Sequence, residues 1–251
     1  MSRTFEQDLR LLWHRYKTTG EVPPFLAEAK AHAASGSLGP LGKTVAELLR
    51  RLRTNDRVVE NAARRLGVLG WVVPMWAARE DVIRFAKLSD RAALDRSMAR
   101  AYRRDTRRLR SVISGPARSE VLAKWRPLLR ECEHLFWKGH QLTIVPALLL
   151  VLEGAIASTR TSTATSVKPT KALNLLVPEQ LGSLRALWVS LEAFCELLYE
   201  STPFDKAVPR QLNRHWILHG RTSTRWTRLD AVRLYQALDT TAAILKCPTR
   251  A

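Results

Sequence analysis

The sequence predicts an all-α protein, a helical bundle preceded by a basic helical region, on three observations. Apolar residues recur three and four apart through most of the chain, the rhythm of helices with one buried face. Clusters of glycine and proline punctuate these stretches. The one extended-looking run, Trp71-Val72-Val73, has no second strand to pair with.

Taken in order, residues 4–17 place Phe5, Leu9, Leu12, Trp13 and Tyr16 at helical spacing, a helix that docks by one face. Gly20 to Pro24 breaks it, a short helix follows to about residue 34, and 35–40 is a loop. Helices are expected over 43–53 and 55–66, the first opened by Thr44 and Glu47 in capping-box spacing. Gly67, Gly70 and Pro74 mark a tight connection. Residues 90–113 read as one long helix with Leu94, Met98, Ala101, Tyr102, Leu109, Val112 and Ile113 inward, stopped by Gly115-Pro116. Further helices are expected over 118–138, 142–157, 179–200, 209–219 and 228–246, with the Ser/Thr-rich 158–170 as a mobile loop. This divides the chain into an N-terminal basic helical region, 1–115, and a helical bundle, 116–251.

The chain has 251 residues, enough for a sizeable core, with 41 basic against 23 acidic side chains and a formal charge of +18. Arginine outnumbers lysine about threefold, which suits bidentate phosphate recognition. A polyanionic partner is the inference, against the alternative of a generally basic proteome. Cys132, Cys195 and Cys247 are odd in number and widely spaced, so neither a disulfide framework nor a zinc ribbon is implied, and a reducing cytoplasm fits. The N-terminus carries no signal h-region. The most apolar run, Leu142 to Ala157, is shorter than a membrane span and contains Pro146 and Glu153, so it reads as a core helix and no membrane partner is expected.

Arg96, Arg100, Arg103, Arg104, Arg107 and Arg108 crowd the outer faces of the 90–113 helix, opposed only by Asp95 and Asp105. Such a run is either a solvated face or a track for RNA phosphates, contributing affinity without sequence choice. Arg221 and Arg225 extend the positive surface near the C-terminus.

The chemistry concentrates in Asn213-Arg214-His215-Trp216-Ile217-Leu218-His219-Gly220. Pro209 reads as the helix start and Gly220 as the residue closing it with positive φ. His215 and His219, four apart, share a face, whereas Arg214 and His219 diverge by about 140° at roughly 100° per residue. Two copies across a twofold axis would bring both Arg-His pairs into one cleft. Arg-x4-His alone is a short pattern, and Arg210 with His215 makes an overlapping match. A metal site is not expected: His215 and His219 have the spacing of helical zinc ligands, but Trp216 stands where a glutamate would be needed and no third ligand is near.

The motif is similar to that of the HEPN nucleases, and the resemblance runs over roughly residues 60–245. A bacterial HEPN-like family carries Asn-Arg-His-x3-His-Gly here, a Leu-Ser-Ile-Pro-Ala-Leu-Leu-x3-Glu-Gly-like box upstream, and an Ala-x-Arg-Leu-type final helix. In this chain those read Asn213 to Gly220, Leu142 to Gly154, and Ala231-Val232-Arg233-Leu234, with further likeness in Ala63 to Gly67 and Gly70-Trp71. The departures are an inserted Val145 before Pro146 and an unusually basic loop from Arg221 to Trp226. The resemblance implies a HEPN-like bundle and a metal-independent, cofactor-free endoribonuclease acting as a homodimer. There the ribose 2′-hydroxyl attacks the adjacent phosphate; His219 would move the proton, Arg214 bind the non-bridging oxygens, His215 orient, and Asn213 hold the phosphate or the helix start. Glu153 reads as the partner of a buried Arg or His. The implied setting is bacterial, a toxin or antiviral defence effector, with an antitoxin or regulatory protein as partner besides RNA. Two alternatives stand beside it: a non-catalytic RNA- or nucleotide-binding module, and a regulatory subunit whose basic face meets an acidic protein.

Overall fold

The computed structural model describes residues 56–158, 184–203, 205, 207–222 and 225–246, and among these every regular element is helical. The helices expected before residue 54, the Ser/Thr-rich stretch from 159 onward and Cys247 lie outside the described residues. The elements are α1 over 56–68, α2 Arg79–Ala86, α3 Arg91–Arg104, α4 Thr106–Arg118, a 3-10 turn Ala123–Trp125, α5 Arg126–Lys138, α6 Gln141–Ala157, α7 Arg185–Leu198, α8 Arg214–Leu218 and α9 Arg228–Leu245.

Four of these close into a ring: α4 packs on α5, α5 on α6, α6 on α9, and α9 back on α4. α9 sits deepest. Ala231, Leu234, Tyr235, Ala237 and Leu238 are fully sealed, and even its polar Gln236, Thr240 and Thr241 are buried, because α7 covers the side the ring leaves open. α6 earns its place by composition: Ile144, Val145, Leu148, Leu149, Val151, Leu152, Ala155 and Ile156 all lie in the core. The inserted Val145 is therefore absorbed inward. No described helix is long and apolar enough to cross a membrane.

α1 reaches this bundle through Gly67. A Cβ there would lie 2.5 Å from the Ser190 carbonyl oxygen and 2.6 Å from the Ala193 Cβ, so the close approach of α1 to α7 requires glycine. The Trp71-Val72-Val73 run that follows is buried with no strand partner among the described residues. Its backbone is satisfied in other ways: Trp71 N–H donates to the Leu66 carbonyl at 2.9 Å, Val73 N–H to Ser190 Oγ at 3.0 Å, and Gln236 Nε2 donates to the Val72 carbonyl.

Three expectations are corrected. The long 90–113 helix is two helices, because Asp105 leaves helical geometry (φ −131°, ψ 90°) and its carboxylate accepts from the amides of Arg107 and Arg108 to open α4. Gly115-Pro116 does not stop α4, which continues to Arg118 with Pro116 buried inside it. The helix expected from 118 begins only at Arg126, with Pro127 in its first turn, where a missing N–H costs nothing. The boundary drawn at 115/116 thus falls within α4, and one cluster of buried residues runs from Val59 to Ile244.

A charged knot ties α3 to α9. Arg233, 2% exposed, pairs with both Asp95 and Asp230 and stacks its guanidinium 4.8 Å from the Trp71 ring centroid. Trp71 Nε1 donates to the same Asp95 at 2.7 Å, and Arg91 lies 3.9 Å from each carboxylate. Two guanidiniums and two carboxylates balance, the condition under which buried charge is tolerated. Asp95 is thus an internal partner as well as a counter-charge on the arginine-rich face.

Candidate functional site

The motif helix α8 is one turn long, and its ends are capped on both sides. Asn213, 3% exposed, takes the N-cap: its Oδ1 accepts from Trp216 N–H at 3.2 Å while its Nδ2 donates to the Glu200 carbonyl at 2.8 Å. The helix therefore starts at Arg214, five residues later than Pro209 suggested. Gly220 closes it at φ 64°, with Gly220 N–H donating to the Ile217 carbonyl at 3.2 Å and Arg221 N–H to the Trp216 carbonyl at 2.8 Å, the paired bonds of a Schellman motif. Leu212, Trp216 and Ile217 bury the opposite face, and Trp216 Nε1 donates to the Thr202 carbonyl.

This fixes Arg214 beside α6. Its Nε and one terminal nitrogen donate to the two oxygens of Glu153, both at 2.9 Å, a full fork between residues 61 apart in sequence. Arg214 keeps 24% of its side chain exposed and Glu153 32%, so the pair sits at the rim of the core. The residue after Glu153 is packed against the 3-10 turn: a Cβ on Gly154 would lie 2.7 Å from the Trp125 ring. Tyr199 closes the inner side. Its hydroxyl is buried, and burial, with the neighbouring Cys195 and Glu153, holds its ionisation well above the ordinary tyrosine range, so it is a neutral wall and not a base.

His215 and His219 stack in parallel, their planes 4° apart and centroids 6.2 Å apart. His215 is half-buried and His219, at the C-cap, is exposed. The exposed edge of the motif thus offers two imidazoles held in register on one face.

Comparison with family models, with curated proteins and with solved structures returned no match for this chain. The HEPN resemblance accordingly rests on the motif residues alone.

The structure sorts the expected site residues into groups. Arg214 and Glu153 meet; His215 and His219 stack; Asn213, expected among the catalytic residues, is engaged at both ends of its amide and acts as a cap. Arg225 is exposed and lines a different hollow of about 470 Å³, shared with Arg210, Trp226 and the buried face of α8. Neither Arg214 nor His219 lines that hollow. Arg221 is exposed just past Gly220, and Arg96, Arg100, Arg103, Arg104, Arg107 and Arg108 are all exposed on α3 and α4. Cys132 and Cys195 are buried thiols with raised ionisation, Cys132 to about 11, which removes them as nucleophiles. Among the described residues no three His, Cys, Asp or Glu side chains gather as a metal would need.

Tyr199 was not legible as a site residue beforehand. Its only signal is position, a tyrosine closing the apolar run of α7 where a hydroxyl meets the core edge.

Proposed function

We propose that the chain is a metal-independent endoribonuclease that works as a homodimer. The reading is carried by one observation: two parallel imidazoles on an exposed helix end, adjacent in sequence to a guanidinium that is anchored by Glu153. Cleavage of RNA by its own 2′-hydroxyl forms the O2′–P bond and breaks the P–O5′ bond, leaving a 2′,3′-cyclic phosphate and a 5′-hydroxyl. One proton leaves O2′ and one reaches O5′, a task for imidazole near neutrality. His219 is the exchanging group and His215 orients it by stacking; the second His219 comes from the partner across a twofold axis. Arg214, with one fork edge on Glu153, keeps its remaining terminal nitrogen for a phosphate oxygen, so it positions more than it clamps. The exposed arginines of α3 and α4, with Arg221, hold the RNA backbone. The bacterial resemblance sets such an enzyme in RNA restriction, as a toxin or phage-defence effector with an antitoxin or regulatory protein.

A second reading draws on the same salt bridge. Glu153 already answers two of the Arg214 donors, which favours a non-catalytic RNA-binding module in which the fork is structural. The deciding experiment is RNA cleavage by the purified chain in chelator, with His219→Ala beside it. The catalytic reading expects turnover that falls at least about a hundredfold in the variant, the usual worth of acid–base catalysis. Undiminished cleavage removes His219 from the chemistry, and salt-sensitive binding with no turnover in the wild type decides for the binding module.

A further inference from the structure

The arginines of α3 and α4 do not all do the same thing. Arg100, Arg104 and Arg108 converge with Arg84 of α2 around a cavity of about 310 Å³ beside the Asp105 break, whereas Arg96, Arg103 and Arg107 stay outside it. Its wall is Trp76, held edge-on against Phe85 and Tyr102 at 6.2 and 5.8 Å, its Nε1 donating to the Tyr102 hydroxyl at 3.4 Å. The Arg108 guanidinium lies over the Trp76 ring, 4.4 Å from its centroid, a cation–π contact. Ser97 and Ala101, small side chains one helical turn apart, leave the room.

The charge is unbalanced. Arg108 pairs with Asp105 at 3.0 Å and Arg84 with Asp81 at 2.5 Å, but Arg100 and Arg104 make no ion pair among the described residues. Four guanidiniums against two carboxylates along a concave wall leave a surplus positive field that draws in an anion. A single phosphodiester brings one negative charge; a terminal phosphate or a pyrophosphate brings two or more and enough oxygens for several forks.

We propose that this cavity is a binding site for a compact polyphosphate or terminal phosphate group, on a free nucleotide or on the 5′ end of an RNA. The site is separate from the Arg214–His219 region and stands whether or not that region cleaves RNA.

Calorimetric titration of the full chain with inorganic pyrophosphate tests the shared chemistry. One saturable site is expected, weakened about a hundredfold in the Arg100→Gln, Arg104→Gln double variant, at about tenfold for each charge-assisted fork. The Arg96→Gln, Arg107→Gln double variant removes the same charge from exposed positions of α3 and α4 outside the cavity and is expected to change affinity less than about twofold, since it touches only the general field. Equal losses in the two double variants, or no saturable binding by the wild type, overturn the site. All four arginines are exposed, so folding is expected to survive and circular dichroism checks it; should the first pair unfold, single Arg100→Gln reads the same loss at about tenfold. Two further probes separate the sources. A nucleoside diphosphate binding more tightly than pyrophosphate assigns a free nucleotide, and a 5′-phosphorylated oligoribonucleotide that outcompetes pyrophosphate assigns an RNA end. A 5′-hydroxyl oligonucleotide competing equally with its phosphorylated form refutes the terminal-phosphate assignment.

Discussion

Replacing Glu153 by glutamine tests the joint between the motif and the bundle. The substitution keeps the shape and one acceptor but removes the charge and half of a fork whose two bonds are each 2.9 Å. Fully buried pairs lose about 3–5 kcal/mol when one partner is removed, and fully exposed pairs are worth about 0–1 kcal/mol. With the two side chains 24% and 32% exposed, the expected loss lies between, about 2 kcal/mol. For a chain of this size that is a fall of about 4–8 °C in Tm, readable by thermal and urea unfolding. Combining Glu153→Gln with Arg214→Gln isolates the pair, and a coupling of about 1–2 kcal/mol is expected. A coupling under about 0.5 kcal/mol would show that the two side chains do not depend on each other, and the account of how Arg214 is held would fall. Under the proposed chemistry Glu153→Gln also slows RNA cleavage about tenfold through lost orientation, with RNA binding retained.

Asp239 of α9 faces Gly115 of α4, and burial raises its carboxyl from 3.8 to about 6 against the opposing pull of Arg118 and Lys246. A raised acid favours the folded state when protonated, so its stabilising contribution is whole below about pH 4 and is lost as pH rises through about 6. Asp239→Asn is therefore expected to be more stable than the wild type at pH 7 by about 2–3 kcal/mol, with the difference vanishing near pH 4; a difference independent of pH in urea unfolding refutes this. Asn213→Ala removes the cap of α8 and strands the Glu200 carbonyl, and is expected to cost about 1–2 kcal/mol in thermal unfolding, with Asn213→Asp intermediate because it keeps the acceptor; an alanine variant as stable as the wild type would dismiss the cap.

Local signals were legible and tertiary ones were not. The apolar rhythm located α3 to α6 and α9 because their buried faces are built from residues three and four apart, and Gly220 announced a positive φ that only a neighbour in the helix is needed to explain. Asp105 is a counter-charge, pairing with Arg108, but the helix around it is not continuous, and the rhythm had skipped a beat: the inward positions after Tyr102 are Asp105 and Thr106. Pro116 misled in the other direction: α4 carries it two residues before its end, buried in the core, although a proline there forgoes the bond to the Val112 carbonyl. At the site, Glu153 stood out as a lone carboxylate among apolar residues, which is a local anomaly and so visible. Tyr199, the Trp71–Asp95–Arg233 contacts and the grouping of Arg84 with Arg100 are set by how helices lie against each other, and no spacing along the chain encodes that.

The interruption at Asp105 has one more consequence. On an unbroken helix, residues 100, 104 and 108 would stand as a ladder about 12 Å long, its rungs pointing one way and presenting a flat stripe to whatever passes. Breaking the rod after residue 104 folds the ladder toward Arg84 and makes a cup. A single aspartate thereby decides whether this protein meets negative charge along an edge or at a point.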